Sequence, residues 1–175
     1  MVAQDQEAQQ GIHREIDEVL GGRPIEDAHL GRLAFTGQVL SETLRLFPPA
    51  PVTVRQPRDP VVLAGERLPA ATVLAVCIYA LHRHRDWWKE PELFRPERFA
   101  PASGEPRHRY AFLPFSAGRH ACIGAALGWK ETMTIFASIL QRYRVSSDRT
   151  GAVRPRMSIT LRPDRAVPIV LHRRR

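Results

Sequence analysis

The segment Phe115-Ser116-Ala117-Gly118-Arg119-His120-Ala121-Cys122-Ile123-Gly124 carries the strongest signal in this 175-residue sequence. Gly118 lies four residues before Cys122, Gly124 lies two residues after it, and an apolar pattern of helical period starts at the cysteine. The N-terminus of a helix favours a negatively charged sulfur, and glycines allow a tight turn and a close approach of the backbone. The segment therefore predicts an ionised cysteine presented by a loop. The alternative is an ordinary core cysteine at the start of a helix.

Composition limits the class of protein. Hydrophobic residues make up 43% and charged residues 25%, as in ordinary soluble domains, and 175 residues are enough to bury one core. No apolar stretch approaches the roughly 18 residues that span a bilayer. The polar start at 1–7 does not have the pattern of a signal peptide. We therefore expect a soluble, cytoplasmic protein with no membrane association, and two cysteines are too few for a disulfide framework.

The net charge of +8 comes almost entirely from arginine. A basic surface attracts nucleic acids and acidic proteins alike. The arginines are scattered along the chain, and their one dense cluster is the terminal run 173–175. We therefore expect no nucleic-acid binding.

The spacing of apolar residues predicts a mainly α protein with a small β-sheet (α+β) in a single domain at 1–175. Prolines and glycines interrupt the pattern and separate the elements. The predicted elements are two helices at 3–20 and 27–46, a small β region at 52–78, an ordered irregular segment and cysteine loop at 91–124, a helix at 122–142 and a hairpin at 156–172.

Two shorter motifs precede the cysteine loop: Glu42-Thr43-Leu44-Arg45 and, further along, Pro96-Glu97-Arg98-Phe99. Glu42 and Arg45 are three residues apart, so they share one face of the predicted helix, away from its leucine stripe. Taken alone, the pair is consistent with a solvent-exposed ion pair worth a few tenths of a kcal/mol.

In this order, the E-x-x-R motif, the P-E-R-F motif and the F-x-x-G-x-x-x-C-x-G loop resemble the cytochrome P450 family, in its C-terminal, haem-binding portion. The resemblance implies haem b (iron protoporphyrin IX), with Cys122 as the axial ligand of the iron. It also implies that Arg98 joins Glu42 and Arg45 in a structural clamp that holds the loop against the helix. The cofactor-binding residues that it implies are Cys122, Phe115, Gly118, His120, Gly124 and Arg55.

Phe115 is expected to pack beside the sulfur, and His120 and Arg55 to pair with the haem propionates. His82, in the turn Leu81-His82-Arg83, matches a turn that often lies near the haem in this family. The alternative for His82, as for His84 and His108, is an ordinary surface histidine.

The implied reaction inserts one oxygen atom from dioxygen into a small organic substrate, with electrons from a ferredoxin-like or flavodoxin-like partner or a reductase. Basic residues near the loop, Arg109, Arg119 and Lys130, suit an acidic partner of this kind. The acid and alcohol that the family uses to activate oxygen follow a G-x-[DE]-T pattern, and nothing upstream of Glu42 matches it. We therefore identify no catalytic residue and expect the N-terminal half of such an enzyme to be missing. The alternative function is a non-catalytic haem-binding or vestigial fragment.

Overall fold

The structure is a computed structural model that describes residues 1–103, 108–147 and 153–174. The helices are α1 (Gln6–Leu20), α2 (Asp27–Leu30), α3 (Ala34–Leu46), α4 (Ile78–Leu81) and α5 (Ala125–Arg142). The strands are β1 (Val52–Arg55), β2 (Val61–Leu63), β3 (Glu66–Leu68), β4 (Leu74–Cys77), β5 (Tyr143–Ser146), β6 (Pro155–Met157), β7 (Leu161–Pro163) and β8 (Val170–Arg173). Short 3₁₀ turns occupy Pro96–Phe99, Pro101–Ser103 and Gly118–His120. The prediction of a mainly α protein with small β elements is confirmed.

The core lies between α1, α3 and α5. Each of these helices buries one apolar face, as an amphipathic helix does when it packs on its neighbours. The core residues are Ile12, Ile16, Val19, Leu20, Leu33, Val39, Leu40, Met133, Ala137 and Leu140. This three-helix core holds α3, which carries Glu42, and α5, which follows Cys122, in fixed positions.

The strands form four separate antiparallel pairs: β1 with β4, β2 with β3, β5 with β8, and β6 with β7. The β2–β3 hairpin turns through Ala64 and Gly65, which both have positive φ, at 50° and 85°. A two-residue turn with positive φ at both positions matches the right-handed twist of the two strands that it joins. β1 and β4 place Arg55 opposite Leu74 at one end of their ladder.

The helix predicted at 27–46 is divided in two. α2 ends at Leu30, the chain bends through Leu33 with φ −84° and ψ 63°, and α3 starts at Ala34. Gly31, a poor helix former, lies in the bend. The new N-terminus is stabilised by the Glu15 carboxylate, which accepts hydrogen bonds from the Phe35 and Thr36 amides at 2.6 and 2.8 Å.

The other helix starts also differ from the predictions. α1 begins at Gln6 and not at residue 3, because the Asp5 side chain accepts a hydrogen bond from the Ala8 amide at 2.9 Å and caps the helix there. α5 begins at Ala125 and not at Cys122. The Cys122 amide donates to the Phe115 carbonyl at 2.9 Å, and this bond keeps the cysteine in the loop.

The hairpin predicted at 156–172 is only partly formed. β6 and β7 make a short hairpin, but β8 pairs with β5, the strand that follows α5 directly. The apolar residues Val145 and Leu171 face each other in that pair. The segment predicted as ordered and irregular, 91–124, contains three 3₁₀ turns and no strand among its described residues, and residues 104–107 lie outside the description.

Candidate functional site

The cysteine loop, residues 115–124, is closed by its own backbone. The Phe115 carbonyl accepts a hydrogen bond from the Cys122 amide at 2.9 Å, and the Gly118 carbonyl accepts one from the Ala121 amide at 3.1 Å. Gly118 has a φ of 72°, in the left-handed region that a glycine adopts without strain. Ser116, with a φ of 62°, also adopts this conformation. The closed loop leaves the Cys122 side chain exposed as a free thiol.

The cysteine stands just before α5. The Cys122 carbonyl accepts a hydrogen bond from the Ala125 amide at 3.2 Å, and Gly124 is the N-cap residue of the helix. A Cβ atom on Gly124 would lie 3.9 Å from the Cys122 Sγ, an ordinary van der Waals distance. Neither its backbone conformation nor this contact therefore requires a glycine at 124.

Phe115 packs towards α5. Its Cε1 atom lies 3.9 Å from the position that a Cβ atom on Gly128 would take. Gly128 was not among the predicted site residues, although its spacing of four from Gly124, the N-cap residue, places both glycines on one side of the start of α5.

Arg55 reaches the loop from the end of β1. Its Nη2 atom donates to the Ser116 hydroxyl at 3.1 Å, and Nη1 donates to the Thr53 hydroxyl and the Val54 carbonyl, both at 2.8 Å. A guanidinium has five N–H donors. Within the part of the chain that the structure describes, three of the five are engaged, so two remain to bind an anionic group beside the loop.

The residues around Cys122 fit a flat apolar group that carries a metal ion and acidic substituents. The exposed sulfur is a soft ligand, which becomes available as a thiolate. Ile123, the neighbour of Cys122 in the chain, is fully exposed, and Leu127 in the first turn of α5 is 63% exposed. His120 is exposed in the loop, and Arg55 is held against the loop by its hydrogen bond to the Ser116 hydroxyl. These residues fit haem: the sulfur suits its iron, the apolar side chains suit its flat ring, and Arg55 and His120 suit its acidic propionates.

The Glu42 carboxylate is the centre of a buried ionic cluster. Its Oε2 atom accepts from Arg45 Nε at 2.6 Å, and its Oε1 atom accepts from Arg45 Nη2 at 2.8 Å, from Arg98 Nε at 3.1 Å and from the Arg95 amide at 2.8 Å. The side chains of Glu42, Arg45 and Arg98 are completely buried. The interpretation of Glu42 and Arg45 as a solvent-exposed pair is therefore wrong, because the 3₁₀ turn Pro96–Phe99 covers that face of α3.

The two arginines of this cluster also bind backbone carbonyl groups between His82 and Leu93. Arg45 Nη1 donates to the His82 and Pro91 carbonyls at 2.8 and 2.7 Å, and Arg45 Nη2 donates to Leu93 at 3.1 Å. Arg98 donates to the carbonyls of Lys89, Glu90 and Leu93 at 2.9, 3.2 and 3.4 Å. The Arg45 guanidinium lies 5.0 Å from the centroid of the buried Trp88 ring. The three residues thus attach the segment that leads to the cysteine loop to α3.

His82 is buried, so its interpretation as a surface histidine is wrong. Its Nε2 atom accepts a hydrogen bond from the Leu113 amide at 2.8 Å, and its Nδ1 atom lies 3.2 Å from the Arg45 carbonyl oxygen. Burial lowers the pKa of His82 to about 4, and the charges of Arg45 and Arg83 contribute in the same direction. The other two histidines considered with it, His84 and His108, are exposed as expected.

The basic residues near the loop differ in their surroundings. Arg119 and Arg109 are exposed, and the Arg109 guanidinium lies 4.5 Å from the centroid of the Tyr110 ring. Lys130 Nζ lies 2.6 Å from Asp27 Oδ1, so an ion pair offsets its charge. Among the described residues, no helix combines the length and the hydropathy needed to cross a bilayer.

Comparison with known proteins gives consistent matches over nearly the whole chain. A family model described as Cytochrome P450 matches residues 1–169. Cyclooctatin synthase from Streptomyces melanosporofaciens is 39% identical over 163 residues, which are 92% of this chain and 36% of that protein. Mouse cytochrome P450 4V2 is 37% identical over 96% of the chain and 33% of its own length. The taurochenodeoxycholic 6 alpha-hydroxylase of Sus scrofa is 35% identical over 98% of this chain and 34% of its own length. The chain spans about a third of the length of these relatives.

Proposed function

The chain belongs to the cytochrome P450 family of monooxygenases, and from this premise we propose that it is a haem-binding unit in which Cys122 supplies the axial thiolate. The observation that carries the proposal is the exposed, free Cys122 thiol on a closed loop directly before α5. Bound haem b would supply the chemistry that activates dioxygen and transfers one oxygen atom to an organic substrate.

The chain's own residues would bind and orient the cofactor. Arg55 has two N–H donors to offer a propionate, and His120 would pair with the other propionate. Phe115, packed towards α5, would keep water from one side of the sulfur. Glu42 and its two arginines would act at a distance, by fixing the segment that enters the cysteine loop.

We propose an acidic electron donor as the protein partner, either a ferredoxin-like or flavodoxin-like protein or a reductase. The net charge of +8 and the exposed Arg109 and Arg119 support this choice, because complementary charge accelerates association. Arg119 contributes most directly, since it lies in the cysteine loop itself. We propose the cytoplasm as the compartment, because the free, exposed Cys77 and Cys122 persist in a reducing environment.

A second candidate function is haem binding without turnover. The exposure of Ile123, the neighbour of Cys122 in the chain, and of Leu127 favours it, because other described residues leave these apolar side chains uncovered. Turnover also needs protons delivered to the oxygen and a substrate held in place. Product yield distinguishes the two functions: a complete monooxygenase supplied with reductant forms oxygenated product, whereas an uncovered site releases peroxide.

The primary test is the variant Cys122→Ser, with Cys77→Ser as the matched control. An alcohol is not ionised near neutral pH and binds ferric iron poorly. The haem-loaded Cys122→Ser protein should therefore lose the red-shifted Soret band of the reduced carbon monoxide complex, the band for which the family is named. Cys77→Ser, which alters an exposed cysteine on β4, should keep it. An unchanged band in Cys122→Ser would show that another residue binds the iron.

A further inference from the structure

A buried histidine connects the ionic cluster on α3 to the cysteine loop, and neither motif contains it. His82 and Arg45 are bonded to each other in both directions. The Arg45 side chain donates to the His82 carbonyl at 2.8 Å, and the His82 ring lies 3.2 Å from the Arg45 carbonyl oxygen. The opposite edge of the ring accepts a hydrogen bond from the Leu113 amide at 2.8 Å.

These contacts fix the tautomer of the ring. An amide N–H can only donate, so the Leu113 bond requires a lone pair on Nε2. The proton of the neutral ring is then on Nδ1, where it is donated to the Arg45 carbonyl. The lowered pKa of His82 keeps the ring neutral near pH 7, so both bonds are present under ordinary conditions. The Phe112 ring, with its centroid 5.2 Å from that of His82, packs beside it.

The Leu113 bond leads to Cys122 in two further steps. The Leu113 carbonyl accepts a hydrogen bond from the Ser116 amide at 3.2 Å and forms the turn that contains Phe115. The Phe115 carbonyl then accepts the Cys122 amide at 2.9 Å. Leu113 therefore sets where this turn starts, and the turn sets where the cysteine backbone is held.

We propose that His82 is a positioning residue for Cys122, which holds the entry to the cysteine loop by linking the Arg45 carbonyl to the Leu113 amide. The proposal rests on the proposed function, since it concerns the placement of the sulfur ligand. It assigns His82 no contact with the cofactor. Its effect passes through Leu113 and the turn at 113–116.

The test compares two substitutions. His82→Phe keeps a ring of similar size but removes both polar edges, whereas His82→Gln retains an acceptor oxygen near the position of Nε2. His84→Phe is the matched control, because His84 lies two residues away and is exposed. Two quantities are measured: amide hydrogen exchange in the haem-free chain, and the Soret band of the reduced carbon monoxide complex in the haem-loaded chain.

In His82→Phe, the amides of Leu113 and Cys122 should exchange on the order of tenfold faster, as expected for one lost buried hydrogen bond. Amides in the α1 core should be unchanged, and the red-shifted band should weaken. His82→Gln should restore both quantities, and His84→Phe should match the wild type. A general loss of stability would accelerate exchange throughout the core and would not be rescued by glutamine.

Wild-type exchange at Cys122 in His82→Phe, or no rescue by His82→Gln, would overturn the proposal. If His82→Phe does not fold, hydrogen exchange at the Leu113 amide is compared in the wild type and His82→Gln. Slow exchange of this amide in both proteins supports the proposal. Exchange at the rate of a free amide in either protein contradicts it. The exchange measurement needs no cofactor. If the wild-type chain itself lacks the red-shifted band, the proposed function fails while the exchange data still decide the role of His82.

Discussion

At the scale of single residues, Glu42 is the buried carboxylate that Arg45 and Arg98 share. Its two carboxylate oxygens accept four hydrogen bonds, three of them from guanidinium groups and one from the Arg95 amide. Two arginines without this carboxylate would be like charges in a buried site, where water does not screen them. Six other guanidinium N–H groups of Arg45 and Arg98 bind backbone carbonyls between residues 82 and 93, so these bonds form only when α3 and that stretch are in contact.

Glu42→Ala should lower the free energy of unfolding by about 3–5 kcal/mol, the usual cost of leaving a buried charge without its partner. Equilibrium denaturation measures this difference. The control is Glu92→Ala, which removes a 72% exposed carboxylate whose ion pair with Arg83 spans 3.1 Å. That exposed pair should contribute about 0.5 kcal/mol or less. A similarly small effect for Glu42→Ala would contradict the ionic role assigned to the carboxylate.

At the scale of secondary-structure elements, the start of α3 depends on a side chain from another helix. The N-cap residue Leu33 has no polar side chain, and Glu15 of α1 replaces it by accepting bonds from the Phe35 amide, the Thr36 amide and the Thr36 hydroxyl at 2.6, 2.8 and 2.7 Å. The negative charge also lies at the positive end of the α3 dipole. One carboxylate thus caps α3 and joins it to α1.

Glu15→Ala should reduce stability by about 1–2 kcal/mol, because it removes a helix cap and leaves two amides and a buried hydroxyl without their acceptor. Thermal or chemical denaturation checks this. Glu18→Ala is the control, since Glu18 is exposed on the next turn of α1. Equal effects of the two substitutions would show that the charge of α1, and not the cap, is what matters.

The sequence predicts those elements whose causes are local. Apolar periodicity located α1 and α5 to within a few residues, and the motif around Cys122 identified the loop. The break before α3 was missed because its cap, Glu15, lies 20 residues away from Phe35. The β5–β8 pair was missed because Tyr143 directly follows a helix and pairs with Arg173. His82 gave no local signal: its partners Arg45 and Leu113 are 37 and 31 residues distant.

The ionic cluster illustrates the same limit. Helical spacing placed Glu42 and Arg45 on one face of a helix, but only the family resemblance brought Arg98 to them. Periodicity alone favoured the wrong, exposed interpretation, since a face opposite a leucine stripe usually meets water. What covers it is a 3₁₀ turn more than 50 residues along the chain, which contributes polar contacts and no apolar pattern.

At the scale of the whole molecule, stability should depend on pH through His82. The unfolded chain protonates this histidine near its ordinary pKa of 6.5, whereas the folded chain does so only near 4. Between these values the unfolded state binds more protons, so the free energy of unfolding is greatest above about pH 6.5 and falls as the pH drops towards 4. The total loss from this one group should be about 3 kcal/mol.

Denaturation of the wild type and His82→Gln between about pH 7.5 and about pH 3.5, which spans both pKa values, measures this contribution. His13, whose pKa burial also lowers, is present in both proteins, so its effect cancels in the difference. The wild-type curve should fall more steeply below pH 6.5, by up to about 1.4 kcal/mol per pH unit. Parallel curves would mean that folding does not lower the pKa of His82, and would contradict this prediction.

The distance in sequence between Glu42 and Arg98 also imposes an order in time. The two residues are 56 positions apart, so their contact closes a long loop, and the entropy of that closure is lost before the hydrogen bonds form. During synthesis α3 emerges well before its partner, with Glu42 and Arg45 still hydrated. The cysteine loop is made later still and joins a scaffold that closes only after residue 98 has appeared. Folding of this chain should therefore depend on late, non-local contacts, and Cys122 acquires its surroundings only after Arg98 has joined α3.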